Sequence, residues 1–452
     1  MSEAMMLERR DIDTPEKREK YTVGILGCGR TGLAQARLFA RAGFRVVYAD
    51  ADHRIFNQTE KRTIPSAGSK LNTVLNEHMK NDCIKVENDI RTAVSESDII
   101  VFSVPASIDK RKNPDYSYMT RGCREAGLSL RQGSLFIFAS TTGPGVTESL
   151  AKEHLEKSSG LKAGKDFGLA YIPMTARIFQ ETNAKKAVVG ANDEHSLKAA
   201  CTVLGTVAKG EMVEMGDIKT AETVKLLEKV YETVNIALAN ELAGFCEEAG
   251  IDFMEAWKAT CGNPHSYLSR PQLVDGSATV EPHLLNEEAE ALNKRLRMLA
   301  LAGKVNERMI GHTVRLVKDA LRAGGKNLTR AKICVFGASS RPNTRETEGS
   351  LVEKLVDALK RRGGRVWVYD SLFSHKELVE MEYQAERTLT KTVEKSDCLV
   401  IAVGHKRFSR LNLRKLQFLM KKPAAIVDMA RVINPDKAEK EGFLYRGVGR
   451  GV

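Results

Sequence analysis

The chain has 452 residues, of which 42% are hydrophobic and 28% are charged. This length is too great for a single compact core and predicts two or three globular domains. Because no apolar run approaches the roughly 18 residues of a membrane-spanning helix, the sequence predicts no membrane partner. The first residues contain no apolar core segment and so do not indicate a secretory signal.

The net charge is +12, but the basic residues are evenly spread and only 6% of residues are aromatic. This pattern favours an anionic small-molecule substrate over a nucleic-acid partner. The eight cysteines include no Cys-x-x-Cys pair, which argues against a metal site and against a disulfide framework. The cysteine usage therefore predicts a protein of the reducing cytoplasm.

A glycine-rich motif lies near the N-terminus, between a predicted strand at 23–26 and a predicted helix at 33–42. This context is typical of a dinucleotide site, where glycines permit a tight turn and the helix N-terminus faces a pyrophosphate. A glycine turn that binds no cofactor is the alternative interpretation. The residues of this turn that we predict to contact the cofactor are Gly27, Gly29, Arg30, Thr31 and Gly32.

A second predicted strand, at 44–49, ends in Asp50, which lies 18 residues after Gly32. A carboxylate at this position accepts hydrogen bonds from ribose hydroxyls and repels the 2′-phosphate of NADP. The sequence therefore predicts NAD as the cofactor. Arg54 lies close enough in the sequence to soften this preference.

Two more predicted strands, at 98–105 and 134–140, end in small polar residues. The carboxyl edge of a parallel sheet is where the nicotinamide half of NAD is expected. These strand ends add four predicted cofactor contacts, namely Val104, Pro105, Ser140 and Thr141. A strand and glycine turn at 331–340 repeat the arrangement without the full glycine triplet, which predicts a second Rossmann-like unit.

The order of these segments resembles the UDP-glucose/GDP-mannose dehydrogenase family over nearly all of the chain after residue 20. No single motif is decisive, but all of them occur in the family's order. The segments that carry the resemblance are Val104-Pro105-Ala106-Ser107, Ser140-Thr141-Thr142-Gly143-Pro144-Gly145, Ala221-Glu222-x-x-Lys225-Leu226, 234–243, 306–309, Val403-Gly404-His405 and Gly447-Val448-Gly449.

The resemblance implies an α/β fold with three domains. They are an N-terminal NAD-binding Rossmann domain at 21–208, a helical central domain at 209–328 that forms a homodimer, and a C-terminal Rossmann-like domain at 329–452 that binds a nucleotide-sugar. The central domain is expected to contain one long helix, at about 216–249. Residues 1–20 are charged and are predicted to form a mobile tail.

The family oxidises a primary alcohol of its substrate to a carboxylate, with two NAD and a catalytic cysteine. At the family's cysteine position this chain has Ser277, and at the aspartate position it has Glu281. A serine hydroxyl is a much poorer nucleophile than a thiolate near neutral pH, so we predict a reaction limited to one two-electron step. The third predicted catalytic residue, Lys225, matches the family's lysine and would orient or deprotonate the substrate hydroxyl.

Other positions also depart from the family pattern. The family asparagine that follows the lysine is Lys229, and the family Pro-Glu pair is Pro173-Met174. Cys261, with His265 as its base, is an alternative nucleophile, and a buried structural cysteine is the other interpretation. In the C-terminal domain, the residues predicted to bind the substrate are Arg341, Arg345 and His405.

Two other functions stay open on the sequence alone. A catalytically inactive protein that binds NAD or a nucleotide-sugar would also lack the family's cysteine, glutamate and asparagine. A β-hydroxyacid dehydrogenase needs no cysteine and is similar in its first domain and lysine-bearing helix. The C-terminal Rossmann-like unit argues against that second alternative.

Overall fold

The residues of this computed structural model whose placement can be described are 7–27, 29–50, 83–109, 113–173, 186–208, 210–263, 267–273, 280–345, 347 and 350–450. Contacts between residues group the chain into two compact units. The first consists of Met1–Lys229 and His283–Arg295, and the second of Val230–Pro282 and Leu296–Val452. Both units contain a sheet and helices, so the predicted α/β class is confirmed.

The described residues of the first unit form a sheet with the strand order β10-β9-β8-β7-β4-β1-β2-β3. Neighbouring strands are parallel, except that β8 and β9 are antiparallel. A separate antiparallel pair joins β5 to β6. The strands are β1 (Thr22–Leu26), β2 (Arg45–Ala49), β3 (Ile84–Glu87), β4 (Ile99–Phe102), β5 (Ser107–Ile108), β6 (Pro114–Asp115), β7 (Leu135–Phe138), β8 (Gly168–Tyr171), β9 (Lys186–Ala191) and β10 (Glu211–Glu214).

The helices of the first unit begin with capping residues where the sequence provides them. The Asp89 and Asp193 side chains accept hydrogen bonds from the first-turn amides of α3 and α6, the helices that they precede. A π-helical turn, Thr147–Lys152, follows β7. The α-helices up to this point in the chain are α1 (Pro15–Arg18), α2 (Gly29–Arg41), α3 (Ile90–Ser95), α4 (Ser117–Gly127), α5 (Glu153–Ser159) and α6 (Glu194–Leu204).

Residues 7–20 pack against the rest of the first unit, which differs from the predicted mobile tail. Leu7 and Ile12 are buried in the hydrophobic core of the first unit. Arg18 donates to the carbonyl oxygen of Ala42 at 2.8 Å, which fixes α1 against the end of α2. The prediction rested on the charged composition of this segment and overlooked its two apolar side chains. Their burial attaches the segment to the core of the first unit. Residues 1–6 lie outside the described residues.

One long helix, α7, runs from Ile218 to Glu248, close to the predicted 216–249. The division between the two units falls within it, after Lys229. A later helix, α9 (Val280–Ala291), is divided in the same way after Pro282. No helix among the described residues is long and apolar enough to cross a membrane.

The second unit contains a parallel sheet with the strand order β12-β11-β13-β14-β15. Helix α10 packs against β14 and β15, and its buried residues join the hydrophobic core of this unit. The strands are β11 (Lys332–Phe336), β12 (Arg365–Tyr369), β13 (Cys398–Ile401), β14 (Ala425–Asp428) and β15 (Leu444–Gly447). The remaining helices are α8 (Phe253–Thr260), α10 (Arg297–Ala323), α11 (Val352–Arg361), α12 (His375–Glu380), α13 (Leu389–Val393), α14 (Leu413–Leu419) and α15 (Pro435–Lys440).

Candidate functional site

The strand order of the first sheet places a topological switch point between β1 and β4. The chain passes from β1 to β2 and β3 on one side, and then returns to β4 on the other side of β1. Ligands of open α/β sheets bind at the carboxyl ends of the strands beside such a point. Here those ends carry the glycine turn after Leu26 and the segment Ser103-Val104-Pro105.

The glycines of the first turn are required by its backbone geometry. Gly27 and Gly29 have φ angles of +84° and +48°, a region that favours glycine. A Cβ on Gly32 would lie 2.2 Å from the carbonyl oxygen of Gly27, which is too close for any side chain. The turn is therefore a cradle that added Cβ atoms would fill, and α2 begins in it. This shape fits the pyrophosphate of a dinucleotide.

The predicted ribose acceptor, Asp50, is buried at the end of β2. Its Oδ2 accepts a hydrogen bond from the Gly29 N–H at 2.9 Å and another from the Tyr48 hydroxyl at 3.0 Å. The carboxylate thus fixes the glycine turn, and its contact with ribose stays a prediction. Arg54 lies outside the described residues, as do the side chains of Arg30 and Thr31.

The ends of β4 and β7 lie side by side in the sheet, so they bring the other four predicted cofactor contacts to one edge. Val104 and Thr141 are partly exposed and Pro105 is exposed. Ser140 is buried, and its hydroxyl donates to the carbonyl oxygen of Phe102 at 3.3 Å. The side chain of Ser140 therefore holds two strand ends together rather than facing solvent.

The turn after β7 is attached to helix α7 by a residue that was not predicted as part of the site. The Glu222 carboxylate is buried and accepts from the Thr142 hydroxyl and from the N–H groups of Gly145 and Thr147. Burial raises the pKa of Glu222, although these hydrogen bonds act in the opposite direction. The motif Ala221-Glu222-x-x-Lys225 was visible in the sequence, but only its lysine was assigned a role.

Lys225 lies three residues after Glu222 on the same helix and is partly exposed. Residues three apart on an α-helix are neighbours on its surface. Lys225 is therefore placed on the side of α7 from which Glu222 contacts the turn after β7. Lys229, which replaces the family asparagine, is buried one turn further along.

The second sheet has a switch point of the same construction, between β11 and β13. Gly337 has a φ of +101°, and a Cβ there would lie 2.5 Å from the Cβ of Val403. The acid that ends β12, Asp370, accepts from the Ala338 N–H at 2.7 Å, just as Asp50 accepts from Gly29. Each unit thus pairs a glycine turn after its first strand with a carboxylate after its second.

His405 was predicted to contact the substrate, but its side chain is only 1% exposed. Its Nδ1 accepts from the Asn343 N–H at 2.8 Å, so the ring proton is on Nε2, which lies 2.9 Å from the Asp370 carboxylate. The backbone N–H of Lys406 donates to the Asn343 side chain at 2.9 Å. The imidazole therefore supports the loop after β11 from beneath and is not exposed to a ligand.

The two predicted substrate arginines flank this loop and differ in their partners. Arg341 is 3.6 Å from Glu232, and both side chains are more than a third exposed. Arg345 is half-buried, forms an ion pair with Glu377 and lies over the ring of Phe373 at 5.1 Å. An exposed ion pair is weak, so the Arg341 guanidinium can exchange its carboxylate partner for a phosphate more easily than that of Arg345.

Of the remaining predicted catalytic residues, the structure describes only Glu281. Glu281 is in the first turn of α9 and is partly exposed, whereas Ser277 lies outside the described residues. The thiol of the alternative nucleophile, Cys261, donates to the carbonyl oxygen of Leu268 at 3.5 Å. Its predicted base, His265, lies outside the described residues. The contact with Leu268 favours a structural role for Cys261, and the choice between the two interpretations of this residue stays a prediction.

No group of three or more metal-ligating side chains is present among the described residues. The glycine cradle at the first switch point has the shape that fits a dinucleotide. Models of the UDP-glucose/GDP-mannose dehydrogenase family match this chain in three segments. The NAD-binding domain matches 21–207, the central domain matches 219–308, and the UDP-binding domain matches 334–435.

The chain belongs to the UDP-glucose/GDP-mannose dehydrogenase family. The predicted resemblance is confirmed, and so is NAD as the cofactor. The chain is an NAD-dependent oxidoreductase that acts on a CH–OH group of a nucleotide-sugar, as the sequence predicted. The roles of individual site residues stay predictions.

Similar proteins of this family extend over almost the same length. A UDP-N-acetyl-D-mannosamine dehydrogenase of Pyrococcus horikoshii is 29% identical over 95% of this chain and 99% of that protein. The solved structure of UDP-D-ManNAc dehydrogenase from the same organism has a TM-score of 0.83 at 27% identity, over 95% of this chain and 99% of that one. An NDP-N-acetyl-D-galactosaminuronic acid dehydrogenase from Methanosarcina mazei has a TM-score of 0.76 at 26% identity, covering 97% and 98% of the two chains.

Proposed function

We propose that this enzyme oxidises a UDP-linked N-acetylhexosamine in a single two-electron step, with NAD as the hydride acceptor. The observation that carries the proposal is the pair of switch points of equal construction, one in each unit. Two nucleotide sites are what a reaction between a dinucleotide cofactor and a nucleotide-linked sugar requires. The sugar class is supported by the similar proteins, several of which are UDP-N-acetyl-D-mannosamine dehydrogenases.

In the proposed reaction, the sugar carbon gives up a hydride and its hydroxyl gives up a proton. NAD supplies the hydride acceptor when it is bound. We assign Lys225 to the hydroxyl, which its ammonium would orient by donating a hydrogen bond, or whose proton it would receive after losing its own. Arg341 would bind the diphosphate, because its ion pair with Glu232 is 3.6 Å long with both side chains more than a third exposed, and such a pair contributes little to stability. Glu281 would provide a polar contact to the sugar.

The limit to two electrons follows from the residue at position 277. Oxidation of an aldehyde to a carboxylate through the enzyme needs a nucleophile that traps the aldehyde before the second hydride leaves. Ser277 is a poor nucleophile without a neighbouring base, and the Cys261 thiol donates a hydrogen bond to the Leu268 carbonyl oxygen at 3.5 Å, which favours a structural role. We therefore expect the sugar aldehyde, or its hydrate, as the released product.

The proposal is tested by incubating the purified enzyme with NAD and a panel of UDP- and GDP-linked sugars. NADH formation should be greatest with a UDP-N-acetylhexosamine, and exhaustion of the sugar should yield one NADH for each molecule consumed. Mass spectrometry should identify an aldehyde. Oxidation of small hydroxyacids alone would reject the nucleotide-sugar substrate, and tight binding without turnover would indicate a binding protein.

We also propose a homodimer formed through α7. Four large side chains of the second unit lie along one side of this helix at spacings of seven, four and three residues, namely Tyr231, Leu238, Leu242 and Phe245. Apolar side chains at such spacing form a continuous stripe on a helix. These four are between 37% and 63% exposed, so the stripe is left open to solvent in the single chain. A second copy of the same helix would cover this stripe. Light scattering should find a dimer, and Phe245→Glu should shift it to a monomer while Glu228→Gln should not.

We expect the enzyme to act in the cytoplasm. The seven cysteines of the described residues are free thiols, of which four are buried and three are partly exposed. Persistent free thiols are typical of a reducing compartment. Fractionation of cells should therefore recover the enzyme with cytoplasmic proteins, and recovery from an oxidising compartment would contradict this assignment.

A further inference from the structure

The Glu222 side chain joins the lysine-bearing helix to the turn at the nicotinamide edge of the first sheet. The Glu222 carboxylate is fully buried, and the turn at 140–147 contains no lysine or arginine that could form an ion pair with it. The carboxylate accepts three hydrogen bonds, from the Gly145 N–H at 2.5 Å, the Thr147 N–H at 2.8 Å and the Thr142 hydroxyl at 3.0 Å. One side chain thus holds three successive parts of the turn.

Burying a carboxylate costs free energy, which these three hydrogen bonds offset only in part, since burial still raises the pKa of Glu222. A simple need for stability could be met by apolar packing at lower cost. What apolar packing cannot do is fix the direction of two backbone N–H groups and a hydroxyl at once. The carboxylate therefore specifies one geometry of the turn relative to α7.

We propose that Glu222 is a positioning residue for hydride transfer, which holds Lys225 in register with the turn at 140–147. The two side chains are neighbours on α7, and their Cβ atoms are about 5–6 Å apart in any regular helix. Because Glu222 attaches α7 to that turn, it fixes the position of Lys225 along the helix axis and its orientation about that axis relative to the turn. This inference rests on the proposed function, and it concerns the rate of hydride transfer rather than the choice of sugar.

The expected size of the effect follows from the sensitivity of transfer reactions to geometry. A misplacement of about 1 Å can lower the rate of a positioned reaction about 100-fold. Glu222→Gln keeps the volume of the side chain but replaces one acceptor oxygen by an NH₂ group, which would face the N–H of Gly145 or Thr147. The turn must then move away from the helix or lose a hydrogen bond.

The test is a double-mutant cycle with Glu222→Gln, Lys225→Ala and the double variant, measured in single turnovers with the full-length enzyme. We expect Glu222→Gln to lower the rate of NADH formation about tenfold or more and to leave the KM for the nucleotide-sugar within about twofold. Because Glu222 acts through Lys225, the double variant should be no slower than Lys225→Ala. The matched control is Glu228→Gln, an exposed carboxylate on the same helix, which should retain the wild-type rate.

Two results would overturn the inference. One is a Glu222→Gln rate equal to wild type, and the other is a double variant whose loss is the product of the two single losses, which indicates independent effects. Glu222→Asp keeps the charge but is one methylene shorter, so it should fall between the wild type and Glu222→Gln and provides a second reading if the glutamine variant does not fold. A wild-type enzyme that forms no NADH would instead reject the proposed function.

Discussion

The substitution Gly32→Ala should abolish tight NAD binding, and its effect can be derived from the structure. The added Cβ would lie 2.2 Å from the carbonyl oxygen of Gly27 and 3.0 Å from the ring of Tyr48. Ordinary contacts of a Cβ exceed about 3.4 Å, so the helix and the turn must separate by roughly 1 Å. The Tyr48 hydroxyl donates a hydrogen bond to the Asp50 carboxylate. A shift of the Tyr48 ring therefore also disturbs the hydrogen bond that Asp50 accepts from the Gly29 N–H.

Inserting a methyl group into a well-packed site typically costs about 1–3 kcal/mol. A loss of this size lowers the midpoint of thermal unfolding by about 2–4 °C per kcal/mol in a domain of 150–250 residues. The affinity for NAD should fall about 100-fold, a loss of about 2.8 kcal/mol at the upper end of that free-energy range, because the cradle no longer fits the pyrophosphate. Calorimetric titration with NAD and scanning calorimetry measure the two quantities separately.

The control for this substitution is Gly216→Ala. Gly216 is exposed, has no atom within 4 Å of an added Cβ and does not require a positive φ. We expect the free energy of unfolding of the Gly216→Ala variant to differ from that of the wild type by less than about 0.5 kcal/mol, and its NAD affinity to match the wild type. If Gly32→Ala also binds NAD like the wild type, the glycine turn is not the pyrophosphate site and the cofactor must bind elsewhere.

Three further predictions concern the second unit and the reaction. His405→Ala should raise the KM for the nucleotide-sugar about tenfold with little change in NAD affinity, because the Asn343 N–H loses its acceptor, whereas His375→Ala, at an exposed position, should change neither. Burial raises the pKa of Asp428 to about 6, above its ordinary 3.8, so the free energy of unfolding should fall by up to about 3 kcal/mol as pH rises from 4 to 6 and then stay level. Denaturant titrations should show this fall in the wild type and not in Asp428→Asn. Ser277→Cys should raise the yield above one NADH per sugar, and an unchanged yield would show that the missing thiol is not what limits the reaction.

The sequence predicted the elements whose signals are local. Helix α7 was placed within two residues at its start and one at its end, because residues 221–226 and 234–243 resemble the long central helix of the family. The glycine turn was recognised because strand, glycines and helix follow one another directly. The charged segment at 7–20 was misjudged, since its composition gives no sign that Leu7 and Ile12 bury against a core formed elsewhere.

The parts of the site that were missed depend on contacts between distant residues. Glu222 contacts a turn about 80 residues earlier in the chain, and no local pattern indicates that its carboxylate is satisfied there. His405 was assigned to the substrate because it follows a strand, but the same position brings it against Asp370 and Asn343. A histidine at a strand end predicts the edge of the site, and only the fold shows whether its ring faces the ligand or the loop that holds it.

The most direct test of the proposed reaction uses a UDP-N-acetylhexosamine in which both hydrogens on the primary alcohol carbon are replaced by deuterium. We expect mass spectrometry to find one deuterium in each molecule of reduced cofactor, together with an amount of aldehyde equal to the NADH formed. Reduced cofactor without deuterium, or the absence of reduced cofactor when both ligands are bound, would contradict the assignment of this chain as a hydride-transferring enzyme of nucleotide-sugars.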